Sequence, residues 1–155
     1  MSKTRVTDPS AGLIRRLAAL VYDSFLLFAI MLAYAGLVLA IRVGMTGPEA
    51  AQTPYSGLPG VLFLAGLWFC LALFYCWCWR RSGQTLGMKT WRLQLQQSSG
   101  ARPTWRQCWL RSLLAPLSLL AGGIGYWWCL TGSGDALHDL WTSTRVVELP
   151  RKNKS

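Results

Sequence analysis

Arg16 and Asp23 stand seven residues apart, and Asp23 is the only charged residue in the 25-residue run 17–41. On a helix, seven steps of 100° return to nearly the same face, about 10.5 Å further along the axis. That is too far for a direct ion pair within the helix. It does let both side chains point into one cleft, with Asp23 deeper and Arg16 at its mouth. An acid at the centre of a membrane helix costs about 2.5–3.5 kcal/mol, so Asp23 needs a partner, water or a proton. Two kinds of chemistry suit such a pair. One is a protonatable cation site gated by Arg16; the other is a buried ionic network that locks helices together.

Asp139 is the second acid of interest and lies beside His138, the sole histidine. A histidine near an acid titrates near neutral pH, yet consecutive helical residues point about 100° apart and need not touch. The plainer reading makes His138 an interfacial residue and pairs Asp139 with a basic loop residue. Gln84 lies within Gly83-Gln84-Thr85-Leu86-Gly87. Its glycines suit a tight reversal, and the Gly-Lys-Ser/Thr element of a phosphate-binding loop is missing. A structural turn is favoured over a ligand loop. The five cysteines (Cys70, Cys76, Cys78, Cys108 and Cys129) show no repeated spacing. They read as small apolar packing residues rather than a disulfide framework or a zinc site. No metal and no cofactor is expected. Without Ser/His/Asp spacing, an HExxH motif, paired catalytic acids or a P-loop, the chain is not expected to be an enzyme.

The elements that must position these residues are apolar helices. The chain has 155 residues, 52% hydrophobic and 14% charged, against about 25% charged in soluble domains. Residues 17–41 would reach about 37 Å as a helix, more than the ~30 Å hydrocarbon core. The run is too long for a signal-peptide core and no clear A-x-A site closes it, so an uncleaved span is expected. A second span, about 58–79, carries no charge. Arg42 closes the first span, and residues 43–57 form a short polar loop. The net charge of +10 does not point to nucleic acid, because the uncharged runs suit lipid. It points to anionic headgroups.

Residues 80–112 carry Arg80, Arg81, Lys89, Arg92, Arg102, Arg106 and Arg111, with no acid. The positive-inside rule therefore places this loop and the amino terminus in the cytoplasm, and residues 43–57 outside. Trp77, Trp79, Trp127 and Trp128 fall near predicted span ends, as an aromatic belt requires. Trp91, Leu93 and Leu95 alternate with Arg92, Gln94 and Gln96, a strand signal, and Ser98-Ser99-Gly100 supplies a turn. Thr104 is a candidate N-cap for an interfacial helix over 104–113, from which Arg106 and Arg111 snorkel to headgroups.

Residues 113–130 form a third apolar run, near the lower length limit for a span and interrupted by Pro116, Gly122, Gly123 and Gly125. The β-branched stretch 144–149 could pair with 90–96, which requires both on the cytoplasmic side and favours a run that dips in and returns. A single crossing would instead put 131–155 outside. The expected fold is therefore an all-α integral membrane protein. It has two transmembrane helices, a third kinked or re-entrant hydrophobic segment, and a small cytoplasmic β-hairpin-like element. Residues 1–16 form a basic cytoplasmic head, 11–148 one membrane domain, and 149–155 a basic disordered tail. Ala29-x-x-x-Ala33 and Gly36-x-x-x-Ala40 permit close helix packing within a bundle, a homo-oligomer or an assembly with other membrane subunits.

These pieces, in this order, resemble the RDD family of small bacterial membrane proteins, named for one arginine and two aspartates. The matching residues are the Arg15-Arg16 pair entering the first span, Asp23 within it, and Asp139 in Leu137-His138-Asp139. Gly83-Gln84-Thr85-Leu86-Gly87-Met88-Lys89 resembles the family's Gly-Gln-Thr-Leu-Gly-Lys stretch, and Thr144-Arg145-Val146-Val147 its closing Thr-x-Val-Val. The segment from Pro103-Thr104 to Arg111 resembles the lead into its last hydrophobic region. Two departures stand out: Ser143 precedes Thr144 where members often have Ala-Gly, and the third hydrophobic region is short. The resemblance covers roughly residues 11–148. It implies a membrane protein with transport as its suspected role and brings no catalytic mechanism. Function thus stays between two readings. One is transport of a cation or small solute by an oligomer or subunit. The other is a structural or accessory membrane protein locked by Arg16, Asp23 and Asp139.

Overall fold

The computed structural model describes residues 12–120 and 141–150. In chain order the elements are α1 (Leu13–Thr46), a 3-10 turn (Pro48–Ala51), α2 (Gly57–Ser82), α3 (Leu86–Thr90), β1 (Leu93–Gln97), α4 (Trp105–Leu120) and β2 (Thr144–Glu148). The described residues are mostly helical, with one two-stranded antiparallel sheet among them. Both long helices are apolar enough to cross a membrane, and their most apolar stretches are almost wholly uncovered by the rest of the chain. The core helix of a soluble protein would be covered. The side chains that α1 and α2 leave bare, such as Phe25, Leu32, Leu37, Leu62 and Leu64, are those that lipid solvates at no cost.

The helices outrun the apolar text. α1 begins at Leu13, so Arg15 and Arg16 are inside it, and Arg42 does not close it. The stop comes a turn later, where the Gly47 N–H donates to the Val43 carbonyl oxygen. Helical hydrogen bonding need not end where the hydrocarbon does.

The chain divides into two compact units. One comprises residues 24–74. Here Tyr34 packs on Phe63 (ring centroids 5.3 Å apart) and its hydroxyl donates to the Phe63 carbonyl oxygen at 3.1 Å. Tyr55 stacks on Phe63, the Arg42 guanidinium lies 4.5 Å from the Tyr55 ring centroid, and Arg42 donates to the Thr53 carbonyl and hydroxyl oxygens. Ala29, Ala33, Gly36 and Ala40 are exposed, so the small-residue pairs make no close helix contact within this unit.

The other unit comprises residues up to Asp23 and from Tyr75 onwards. Its core gathers Ala19, Cys76, Trp79, Met88, Leu93, Leu95, Cys108 and Val146. β1 and β2 pair from Leu93↔Glu148 to Gln97↔Thr144. The expected pairing of the two stretches is thus present, and the alternation holds, with Leu93 and Leu95 buried. The element is not a hairpin, because residues 98–143 separate its strands. Trp91 does not join the strand. It caps a short helix, α3, that periodicity alone did not reveal. The other edge of β1 is covered by the preceding turn: Leu95 N–H donates to Gly83 O (2.7 Å) and Gln84 Nε2 to Leu93 O (2.7 Å). An edge so covered offers no template to another chain. Gly83 has φ +73°, and a Cβ there would come within 2.9 Å of the Leu95 oxygen. Glycine is required on both counts.

Thr104 caps α4 as expected, in a reciprocal box: Gln107 N–H donates to Thr104 Oγ1 (3.3 Å) and Thr104 N–H to Gln107 Oε1 (2.9 Å). The helix does not stop at 113 but runs past Pro116 to Leu120. Proline removes one hydrogen bond, and the turns on either side carry the helix through. Two expectations about this region are corrected. Trp79 is a buried core residue rather than part of a belt, whereas Trp77 is exposed. Arg111 turns inward instead of snorkelling, because it shares the buried face of α4 with Cys108 and Ser112. The third apolar run beyond Leu120 lies outside the described residues, as do Asp139, His138, Trp127, Trp128 and Cys129. Cys70, Cys76, Cys78 and Cys108 are free thiols, and the last three sit in or against protein as packing residues.

Candidate functional site

Asp23 lies ten residues into α1 and is 3% exposed. Both of its carboxyl oxygens are bound from one short stretch more than 60 residues away. Thr85 Oγ1 donates to Oδ2 at 2.5 Å, and the Gly87 backbone N–H donates to Oδ1 at 2.9 Å. Thr85 is the N-cap of α3, and its hydroxyl oxygen also accepts from Met88 N–H at 3.2 Å. The first N–H groups of a helix have no partner inside it. In α3, Asp23 takes one and Thr85 another. A five-residue helix is far below the length that is stable alone. Here it is held by an acid from another helix.

Gly87 permits this approach. A Cβ on it would overlap the Ala19 carbonyl oxygen and lie 3.0 Å from the Asp23 carboxyl carbon. The Gly-Gln-Thr-Leu-Gly loop thus forms a turn that wraps Asp23, and Gln84 Nε2 ties it to β1 through the Leu93 carbonyl oxygen. Thr85 and Gly87 were readable as turn residues but not as partners of Asp23. The one hint was a glycine placed just after a possible Thr N-cap, where close backbone approach is a common reason for glycine.

Arg16 is 8% exposed and lines, with Asp23, a cavity of about 90 Å³. The shared-face argument placed these two side chains in one cleft, and they line one. A third charged residue joins them that the sequence had sent elsewhere: Arg111, 6% exposed. It donates to Thr144 Oγ1 at 3.0 Å, and its guanidinium lies 5.5 Å from the Trp79 ring centroid, within cation–π range. Tyr75, Trp79, Met88, Leu93 and Val146 complete most of the apolar wall. Arg15 instead points outward and pairs with Glu148 at 2.6 Å, with both side chains partly solvated. Among the described residues no group of three or more His, Cys, Asp or Glu could hold a metal ion.

This arrangement keeps an acid inside protein at little cost, because each of its oxygens has a donor. It also joins α1 to α3 and, through Gln84 of the same loop, to β1, while at the same cavity Arg111 ties α4 to β2. The sequence model of the RDD family matches residues 10–143. No curated protein and no solved structure matches the chain. The match spans most of the chain and includes Arg16, Asp23 and the loop that binds it. The chain belongs to the RDD family, a family of membrane proteins.

Proposed function

We propose that this is a structural or accessory multi-pass protein of the bacterial inner membrane, in which Asp23 locks the first membrane helix to a cytoplasmic cap. The observation that carries the reading is the double hydrogen bond to Asp23 from Thr85 and Gly87. One donor on each carboxyl oxygen, both from the start of α3, ties the acid to the fold at two points. Arg16 lies at the same cavity, and Asp139 would extend the network.

Contacts within one unit support a topology. Asp23 joins α1 to the loop that leaves α2, and Arg15 at the start of α1 meets Glu148 at the end of β2. The pairing of β1 with β2 supports a reading in which both strands lie on one side of the bilayer. Together with the acid-free run 80–112, these contacts support a cytoplasmic amino terminus, cytoplasmic strands and an outer loop at 47–56. Reagent labelling of a cysteine at Gln52 from outside intact cells, and of one at Ser155 only after permeabilisation, is the expected result. Labelling of Gln52→Cys only after permeabilisation would reverse the orientation.

A second reading, transport of a cation or small solute by an oligomer, is favoured by the cavity that Arg16, Asp23 and Arg111 share. Asp23→Asn separates the two in reconstituted vesicles. The lock predicts lost protein level and a lower melting temperature. Lost ion flux with unchanged expression and melting would favour transport.

A further inference from the structure

Of the seven basic residues in 80–112, only Arg111 is buried. Arg80, Arg81, Lys89, Arg92, Arg102 and Arg106 are all exposed, with no acid among them in sequence. α4 adds a second feature. Its inward face carries Cys108, Arg111 and Ser112. Its outward face carries Trp105, Leu110 and Leu113, exposed by 43, 41 and 48%, with Arg106 among them. At 100° per residue these four fall within an arc of about 140°. Tryptophan, leucine and arginine on one uncovered helical stripe suit the boundary between headgroups and acyl chains, where one end of the environment is apolar and the other wet and charged.

We infer that the outward face of α4, with the exposed basic residues of 80–106, is a docking surface for anionic phospholipid headgroups of the leaflet nearest the end of α2. Charge complementarity selects anions, and the interleaved Leu110 and Leu113, beside a helix apolar enough to span, favour a surface that is charged outside and apolar beneath, as a lipid leaflet is. Proximity supplies the rest: Arg80 and Arg81 form the last turn of a helix long and apolar enough to span, so the patch is tethered where headgroups are. Basic side chains at such a surface are attracted to anionic lipid and screened by salt. The inference stands on the membrane placement of α2 and not on the Asp23 lock, so either can fail alone.

The experiment is backbone hydrogen exchange of the full chain in nanodiscs of phosphatidylcholine alone or mixed with phosphatidylglycerol. Exchange over 104–113 is expected to slow severalfold with phosphatidylglycerol and to recover in high salt. The double variant Arg92→Gln/Arg106→Gln, both exposed positions, is expected to melt like the wild type and to lose most of the slowing. Equal exchange in both lipids would overturn the proposal, as would slowing that the double variant leaves intact. Slowing by an acidic peptide or RNA but not by phosphatidylglycerol would assign the surface to another partner.

Discussion

The two units of this chain bury polar groups in opposite ways. In residues 24–74 many large apolar side chains are exposed, and the polar contacts include a tyrosine hydroxyl on a carbonyl oxygen and an arginine on a threonine and a ring. Among the described residues of the other unit, charged and hydroxyl groups are buried alongside the apolar core: Arg16, Asp23, Thr85, Arg111, Ser112, Thr142 and Thr144. Lipid solvates the first and protein must solvate the second. A change in the first region should therefore lose a contact, whereas a change in the second strands the partner left behind.

Asp23→Ala should have the largest effect. It leaves the Thr85 hydroxyl and the Gly87 N–H without an acceptor in a buried site and removes the tie on α3. Breaking such a buried network costs about 3–5 kcal/mol, readable as a large drop in detergent melting temperature and in membrane protein level. A milder loss, comparable to that of a surface residue, would place Asp23 outside the network.

One substitution made in both units sharpens the contrast. Gly87→Ala puts a methyl against the Ala19 carbonyl and the Asp23 carboxyl group, backbone and a fixed acid that cannot move aside. Overpacking of this kind costs about 1–3 kcal/mol. Gly66→Ala meets only the far end of the Tyr34 side chain, which can swing away. The lost Tyr34 hydrogen bond, about 0.6 kcal/mol in membrane helices, is offset by the better helix propensity of alanine, about 1 kcal/mol. Melting of Gly66→Ala should stay near wild type. If the two alanines cost the same, the contrast between the units is lost.

The smallest effect belongs to Arg15→Gln. Its pair with Glu148 is short but partly solvated, and such pairs contribute about 0–1 kcal/mol. A loss beyond that range would mean that the pair belongs to the buried network.

Much of this architecture could be read from residue order. Apolar runs announced α1 and α2, the seven-residue spacing put Arg16 and Asp23 at one cavity, and alternation with β-branching found the partners of the sheet. Thr104 was legible as a cap because its partner, Gln107, is three residues away. What escaped depends on distant groups. α3 is five residues long and exists because Asp23 supplies an acceptor from another helix, so no local pattern marks it. Arg111 looks like a headgroup anchor until Trp79 and Thr144, far apart in sequence, close around it. Trp79, two residues from the exposed Trp77, lies on the other side of α2, a distinction that composition at a span end does not make.

A double-mutant cycle between Asp23 and Thr85 tests the lock most directly. Asp23→Ala, Thr85→Val and the pair would be melted in the same detergent, with the free-energy changes compared. The hydrogen bond between the two side chains predicts non-additivity of about 0.5–3 kcal/mol, the second change costing less once the first is made. Additivity within about 0.3–0.5 kcal/mol would mean that Asp23 and Thr85 act independently, and that the membrane helix is held to its cap by something else.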